Sequence, residues 1–351
     1  MPAIMMLPFV AILGVSFSDV LFSVVLGAID VALVYSLLGV LIHHGDRETR
    51  RERLIAPWLS ASVAISEAAR RWITLLFALG TPFWYLASLG TYWFTAQVVV
   101  VFFALLATRE ALTKQRWFLV GMWLACAGFS RPTAVFLVPF FVIILLCAAR
   151  NTHHGSSTSS YAMRNLLLFG LALAIGIGAH FAYNYARFKS LTDFGYAYVS
   201  GADNITSVYA RYGGFNPLFV PCNLAVSLLS PPEVNGAVPT FIMQACAYLL
   251  EGVNLSDVSA PITPNPLGMS VFVVTPALLL IFTTFKRDLL ITSAWVGLLT
   301  TLIPLWFYHN TGSLQFGWRY LFDAAPMWII LLAAGMQKVT RLKQGLILVS
   351  I

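Results

Sequence analysis

The segment SLQFGWRYLFDAAPMW, residues 313–328, places an arginine and an aspartate at the start of an apolar stretch. Arg319 and Asp323 are four residues apart, so on an α-helix both side chains would share one face. Two interpretations are open: the charges neutralise each other, or Arg319 presents its guanidinium to an anionic headgroup while Asp323 orients it. Arginine suits the second role, because its planar fork gives paired charge-assisted hydrogen bonds to phosphate.

A second arginine, Arg131, follows a short apolar run. Residues 117–130 would extend about 21 Å as a helix, whereas the hydrocarbon core of a bilayer is about 30 Å thick. Arg131 is therefore expected below the outer membrane surface, where it would line a water-filled recess. The alternative is an arginine whose long side chain extends to the lipid headgroups.

Three polar residues recur near the end of another apolar run, in GAHFAYNYARF. His180, Asn184 and Arg187 are spaced by four and three residues, so a helix would align them on one face. They could line a polar cavity or hydrogen-bond to neighbouring helices. Asp193 follows in SLTDFGYAY, where it is a loop cap, a salt-bridge partner or, as a weaker candidate, a catalytic acid.

The first apolar run also holds acidic residues, and the four cysteines do not form a metal set. Asp19 opens that run and is expected to cap a helix N-terminus. Asp30 lies inside it, and no partner can be assigned to it. Cys126 and Cys147 lie in apolar runs and are expected to pack as small hydrophobic residues. The polar-loop pair Cys222–Cys246 could form a disulfide or stay reduced. No metal and no cofactor are expected.

The elements that carry these residues have the composition of membrane spans. Hydrophobic residues make up 59% of the 351 residues and charged residues only 10%, with a mean hydropathy of +0.81. A soluble domain usually has about 25% charged residues. The chain is therefore predicted to be an all-α, polytopic membrane protein. We assign nine complete spans and a partial tenth, which begins at GLILVSI: 17–42, 72–89, 91–108, 117–130, 132–149, 165–186, 270–285, 289–307 and 321–337.

The connections between these spans alternate between two sides, and 16 of the 21 Lys and Arg residues fall on one of them. The positive-inside rule makes that side cytoplasmic. The net charge of +7 therefore reports membrane topology and not a nucleic-acid partner. Residues 54–69 are moderately apolar, and counting them as a span would invert the downstream topology. We assign them instead to a cytoplasmic connector, residues 43–71.

The chain is predicted to form a single transmembrane domain, residues 1–351. Residues 1–16 form an external or interfacial segment. Residues 187–269 form one long external loop, rich in Gly, Pro, Asn, Ser and Tyr, with short interfacial helices.

Several motifs, in order along the chain, resemble those of a known family. They are FALGTPFWYLASLGTYWFTAQVVVVFFALLATREAL, WFLVGMWLACAGFSRPTAVFLVPFF, YNYARFKSLTDFGYAY and QFGWRYLFDAAPMW. Together they resemble the membrane glycosyltransferases of the C-type fold. The nearest group is a bacterial one, similar to protein O-mannosyltransferases and lipid A aminoarabinose transferases. The resemblance covers most of residues 7–337.

The resemblance implies a specific reaction. Such enzymes transfer a sugar from a polyprenyl-phosphate donor to a glycan, lipid or protein acceptor on the outer side of the membrane, here the bacterial plasma membrane. Their catalytic base is an acidic residue in the first external loop, and basic residues near the outer surface help to hold the donor phosphate. Arg131 and Arg319 stand at arginine-bearing landmarks, and we infer a phosphate role for both.

The chain departs from the family pattern at its start. MPAIMMLPFV resembles the segment just after the family's first external loop, so the carboxylate of that loop has no counterpart, and Asp19 comes too late to supply it. We therefore expect a fragment truncated at both ends. Alone it should be inactive, because such a proton transfer is typically worth about 10²–10⁴-fold in rate.

Two other classes of function are open. A transporter or flippase of an anionic lipid-linked or polysaccharide intermediate would also use cations at the outer face. It would show internal pseudo-symmetry and helices broken at the bilayer midplane. A non-catalytic membrane scaffold is the third possible function.

Overall fold

The computed structural model describes residues 2–42, 63–152, 156–193, 195, 203–250, 261–284, 288–312 and 315–351. Most of the predicted connector 43–71 and parts of the predicted loop 187–269 lie outside these ranges. Within them the structure is helical, apart from one short two-stranded sheet. The all-α class predicted from the sequence is therefore confirmed for the described residues.

The α-helices in the described ranges are α1 (Pro2–Leu13), α2 (Asp19–Val40), α3 (Glu67–Leu79), α4 (Phe83–Leu89), α5 (Tyr92–Leu112), α6 (Trp117–Ser130), α7 (Val138–Thr152), α8 (Ser156–Phe188), α9 (Asp203–Tyr212), α10 (Val220–Leu224), α11 (Thr240–Ala245), α12 (Ala247–Leu250), α13 (Val271–Val274), α14 (Leu289–Trp306), α15 (Ala325–Gly335) and α16 (Arg341–Ser350). Segments of 3₁₀ helix are Gly14–Ser16, Pro132–Leu137, Pro217–Phe219, Pro276–Thr283 and Arg319–Ala324, and Ala225–Leu229 is a π-helix. Strands β1 (Glu233–Val234) and β2 (Ile262–Thr263) pair antiparallel, with Glu233 opposite Thr263.

Five helices in the described ranges are long and apolar enough to cross a membrane. They are α2, α5, Pro132–Arg150, Thr158–Phe188 and α14. Helices α3 and α4 make a sixth if they are counted as one span bent by 46°. The remaining predicted spans contain shorter helices, such as α6 and α15.

Proline accounts for several interruptions of the helical segments. It has no backbone N–H and a fixed φ, so it ends one helix and begins another turn. Pro82 separates α3 from α4, and Pro132 and Pro276 begin 3₁₀ segments. Two of these breaks meet, because Thr275 Oγ1 donates a 2.9 Å hydrogen bond to the carbonyl of Gly80. Broken backbone in the bundle is thus satisfied by a neighbouring element.

Helix α15 is the most enclosed part of the bundle. Every residue from Leu321 to Met336 is buried, and α15 packs against α3, α5, α14 and the 3₁₀ segment Pro276–Thr283. Helix α8, by contrast, exposes most of its apolar surface. An apolar helix with an exposed face suits contact with lipid. The charged residues of the opening motif therefore lie at the start of the central helix rather than at the periphery.

Cys222 and Cys246 form a disulfide, which joins α10 to the residue after α11. Both cysteines are fully buried. This settles the alternative that the sequence left open for this pair. Cys126 and Cys147 are half-buried thiols within α6 and α7.

The predicted cap of α2 is wrong by one residue. Ser18 has extended backbone, and its Oγ accepts a 3.2 Å hydrogen bond from the N–H of Leu21. Asp19 is instead the first helical residue, and its Oδ1 accepts from the N–H of Val20. Serine meets the geometric requirement of an N-cap here because it precedes the first helical residue.

Candidate functional site

Asp323 is the centre of a buried polar cluster at the end of the bundle that the sequence predicts to be external. Its carboxylate is fully buried and accepts three hydrogen bonds. Arg131 Nε donates to Oδ1 over 2.8 Å, Gln97 Nε2 donates to the same oxygen, and Thr133 Oγ1 donates to Oδ2. These four residues, called here the Asp323 cluster, join α5, the break before α7 and the start of α15.

The predicted pairing of Arg319 with Asp323, whether to neutralise or to orient it, is wrong. Both residues lie in the 3₁₀ segment Arg319–Ala324. A 3₁₀ helix has three residues per turn, so side chains four apart point roughly a third of a turn away from each other. The carboxylate of Asp323 binds Arg131 instead, and it neutralises that arginine.

Arg131 points into the bundle. Its side chain is 14% exposed, and its guanidinium carbon lies 5.0 Å from the centre of the Tyr320 ring. Because this guanidinium is bound to Asp323, it does not extend away from the bundle towards headgroups. The predicted place of Arg131 below the membrane surface, in a water-filled recess, stays a prediction. Removal of either partner of such a pair leaves an uncompensated buried charge. The pair therefore has a structural role.

Arg319 is buried, and no acidic side chain among the described residues pairs with it. The residue is 6% exposed, and its Nε has no hydrogen-bond partner among the residues that the structure describes. The guanidinium carbon lies 4.9 Å from the ring centre of Phe94 and 5.5 Å from that of Tyr320. The ring of Tyr320 is thus close to two guanidinium groups, those of Arg131 and Arg319. Because Asp323 neutralises Arg131, the three charged side chains Arg131, Asp323 and Arg319 carry one net positive charge.

A single amide holds the backbone around Arg319. Gln315 Oε1 accepts a 3.0 Å hydrogen bond from the backbone N–H of Arg319. Its Nε2 donates to the carbonyls of Thr311 and Leu267, over 2.6 and 3.1 Å. Gln315 therefore connects the start of the 3₁₀ segment to two loops, one after α14 and one before α13.

The remaining predicted site residues have local partners near the end of α8. His180 stacks edge-on against Phe129, with ring centres 5.1 Å apart. Asn184 is buried and its Nδ2 donates to the carbonyl of Leu191. Arg187 is exposed, and it donates to the hydroxyl of Tyr183. Among the described residues, none of these contacts involves a residue of the Asp323 cluster.

Asp193, the weaker candidate for a catalytic acid, takes part in a loop turn. Its Oδ1 accepts a 2.7 Å hydrogen bond from the backbone N–H of Gly195. This is the loop-cap alternative that the sequence left open. This hydrogen bond leaves the second oxygen of Asp193 uninvolved. In the described part of the chain, Asp193 has no contact with the Asp323 cluster.

Sequence reasoning missed Gln97, Thr133 and Gln315. A signal was present for Gln97, because it is the one amide in the apolar sequence of α5, and polar residues within spans are candidates for function. Thr133 and Gln315 gave no such signal, since Thr133 is at the very start of the predicted span 132–149 and Gln315 lies in a short segment before the predicted span 321–337. Asp30 is fully buried in α2, and both of its carboxylate oxygens lack a hydrogen-bond partner among the described residues.

Burial shifts the pKa values of Glu233 and His309, which lie outside the membrane-length helices. Burial raises the pKa of the Glu233 carboxyl, which accepts a hydrogen bond from Thr263 Oγ1. Burial lowers the pKa of His309 to about 4, so this imidazole is neutral at pH 7. His309 is fully buried and packs edge-on against Tyr308 and Tyr209. It adds no positive charge at pH 7.

The fold and the site define a helical protein with membrane-length apolar helices and a buried arginine that has no acidic partner in the described part of the chain. In the described ranges, no three His, Cys, Asp or Glu side chains are grouped so that they could hold a metal ion. Comparison of the chain with protein-family models, curated proteins and solved structures finds no match.

Proposed function

We propose that this chain is a membrane glycosyltransferase-like protein of the C-type fold that binds a polyprenyl-phosphate sugar at its outer face. The full-length protein would transfer that sugar to a glycan, lipid or protein acceptor. The proposal includes nine spans and a partial tenth in a bacterial plasma membrane, with residues 187–269 outside. The disulfide Cys222–Cys246 supports this orientation, because structural disulfides persist in oxidising compartments such as the periplasm.

The observation that carries the proposal is that, among the residues that the structure describes, Arg319 has no acidic partner and its Nε has no hydrogen-bond partner. A buried ion without a partner costs several kcal/mol of desolvation, so a ligand that supplies an anion is favoured at this position. The phosphodiester of a polyprenyl-phosphate sugar carries one negative charge, which matches the net charge of Arg131, Asp323 and Arg319. The apolar helices around the site would accommodate the polyprenyl chain.

The proposal assigns donor binding, and not proton transfer, to the residues around Arg319. Asp323 is unsuited to the role of general base, because its two oxygens already accept from Arg131, Gln97 and Thr133. Arg131, which we expected to contact the phosphate, is engaged by the same carboxylate. Arg319 is therefore the residue proposed to contact the phosphate directly.

Equilibrium binding of farnesyl phosphate to the chain in lipid nanodiscs tests this proposal. Arg319→Ala should weaken binding by about 10- to 100-fold, because a hydrogen bond to a charged group contributes about 1.5–3 kcal/mol. Arg211→Ala is the control, since Arg211 is an exposed arginine in the predicted loop 187–269, on the same predicted side of the membrane as Arg319. Farnesol, which lacks the phosphate, should bind all three proteins equally. Equal farnesyl phosphate affinity of Arg319→Ala and wild type would refute the proposal.

One observation favours a flippase as the second candidate. The break between α3 and α4 is hydrogen-bonded to the break at Thr275, and discontinuous helices line the substrate site of many transporters. A flippase would move a fluorescent polyprenyl phosphate between the leaflets of proteoliposomes. A glycosyltransferase would bind the same lipid without that movement.

A further inference from the structure

The side chain of Gln315 occupies a space that two glycines leave open. A Cβ built on Gly312 would lie 2.7 Å from Gln315 Oε1 and 3.1 Å from Arg319 Nε. A Cβ built on Gly268 would lie 2.6 Å from Gln315 Nε2. Both glycines have positive φ, +101° and +112°, which other residues rarely adopt. The two loops therefore approach Gln315 more closely than any side chain on either glycine would allow.

The same distances place the amide of Gln315 beside the guanidinium of Arg319. Both lie against the open side of Gly312, so Oε1 and Nε are within about 6 Å of each other. An opposite charge at that separation would interact strongly with the guanidinium. The residue that occupies this position is an amide, which accepts and donates hydrogen bonds without carrying charge.

We propose that Gln315 is a positioning residue for the anion site: it fixes the backbone of Arg319 against the two loops and leaves the guanidinium without a counter-charge. This inference rests on the proposed function, because it concerns the same phosphate contact. Three hydrogen bonds carry the positioning, one to the N–H of Arg319 and two to the carbonyls of Thr311 and Leu267. The neutrality of the amide leaves Arg319 to bind the ligand's phosphate.

The test is a double-mutant cycle on farnesyl phosphate binding, with the full chain in nanodiscs. Gln315→Glu keeps the size of the side chain and adds a carboxylate next to Arg319. It should lower affinity by at least about tenfold in the wild-type background, because the new charge competes with the phosphate. In the Arg319→Ala background the same substitution should have no further effect, since two residues that act through one contact are not additive. A purely structural role would give additive losses.

Two further variants complete the design. Gln344→Glu, on α16, adds the same charge away from the site and should bind as wild type does. Gln315→Met keeps the volume without the hydrogen bonds and without charge. It should weaken binding less than Gln315→Glu does, and it serves in the cycle if Gln315→Glu does not fold. Monodispersity and the melting temperature report folding of each variant.

The outcomes separate this inference from the proposed function. If Arg319→Ala binds farnesyl phosphate as wild type does, both fail. If Arg319→Ala loses binding but Gln315→Glu matches Gln344→Glu, only the role of Gln315 is overturned. Additive losses in the double variant would also overturn it, because Gln315 would then act independently of Arg319.

Discussion

Arg131 and Arg319 occupy similar places in the fold and differ in their electrostatics. Each lies at the beginning of a 3₁₀ segment that continues into an apolar helix, Pro132–Leu137 into α7 and Arg319–Ala324 into α15. Each guanidinium lies near the ring of Tyr320. Arg131 is bound to a fully buried carboxylate, whereas the Nε of Arg319 has no hydrogen-bond partner in the described part of the chain.

The difference separates a structural cation from a candidate binding cation. A buried ion pair holds elements together, and its loss affects folding. A buried cation without a counter-charge is a cost to the folded state, and a ligand of opposite charge relieves that cost. Both arginines lie at the mouth of a predicted span, so position does not distinguish them. What distinguishes them is that Arg131 is bound to a carboxylate and Arg319, among the described residues, is not.

The largest effect on stability is expected from breaking the ion pair between Arg131 and Asp323. Asp323→Asn keeps the shape of the side chain and removes its charge, so Arg131 is left buried and uncompensated. We expect a loss of about 3–5 kcal/mol in the free energy of unfolding. Chemical denaturation of the detergent-solubilised chain, followed by tryptophan fluorescence, measures it. The double variant Arg131→Met/Asp323→Leu removes both charges and should recover most of the loss; no recovery would mean that the pair is not the cause.

Removing the charge of Arg319 should have the opposite effect on the free energy of unfolding. Arg319→Met retains the apolar stem that packs near Phe94 and removes the unpaired charge. Since a buried polar group without a hydrogen bond costs about 1–3 kcal/mol, the variant should gain up to that amount in the free energy of unfolding. The same denaturation experiment without added ligand measures it. A clear loss of stability in Arg319→Met would show that Arg319 is structural, like Arg131, and would remove the contrast between the two sites.

The sequence predicted the spans better than the contacts. Apolar runs 17–42, 91–108 and 289–307 correspond to α2, α5 and α14, because hydrophobicity over a bilayer thickness decides where such helices lie. The length of the preceding run singled out Arg131 as a residue of interest. It could not indicate the partner of Arg131, because Asp323 is 192 residues away in sequence and the two meet only through packing of the bundle.

The error over Arg319 and Asp323 comes from the type of helix that was assumed. Four-residue spacing predicts a shared face only if the segment is an α-helix, and the segment is a 3₁₀ helix instead. That choice depends on how the start of α15 packs against α5 and α14, which no local pattern reports. The nine-span count stays a prediction for the same reason, since short and broken helices such as α3 and α4 depend on their neighbours.

The smallest effect concerns a neutral group in the loop that leads to Arg319. Burial lowers the pKa of His309 from 6.5 to about 4, so the folded state favours the neutral imidazole. Its contribution to stability is present above pH 6.5 and is lost as the pH falls towards 4. By pH 5.5 the wild-type chain should have lost about 1 kcal/mol relative to His309→Gln, which does not titrate in this range. Denaturation of both proteins at pH 7.5, 6.5 and 5.5 measures the difference. A constant difference across these values would mean that His309 does not titrate in this way, whereas a growing one would confirm that Arg319 has a neutral imidazole, and not a second cation, in its loop at pH 7.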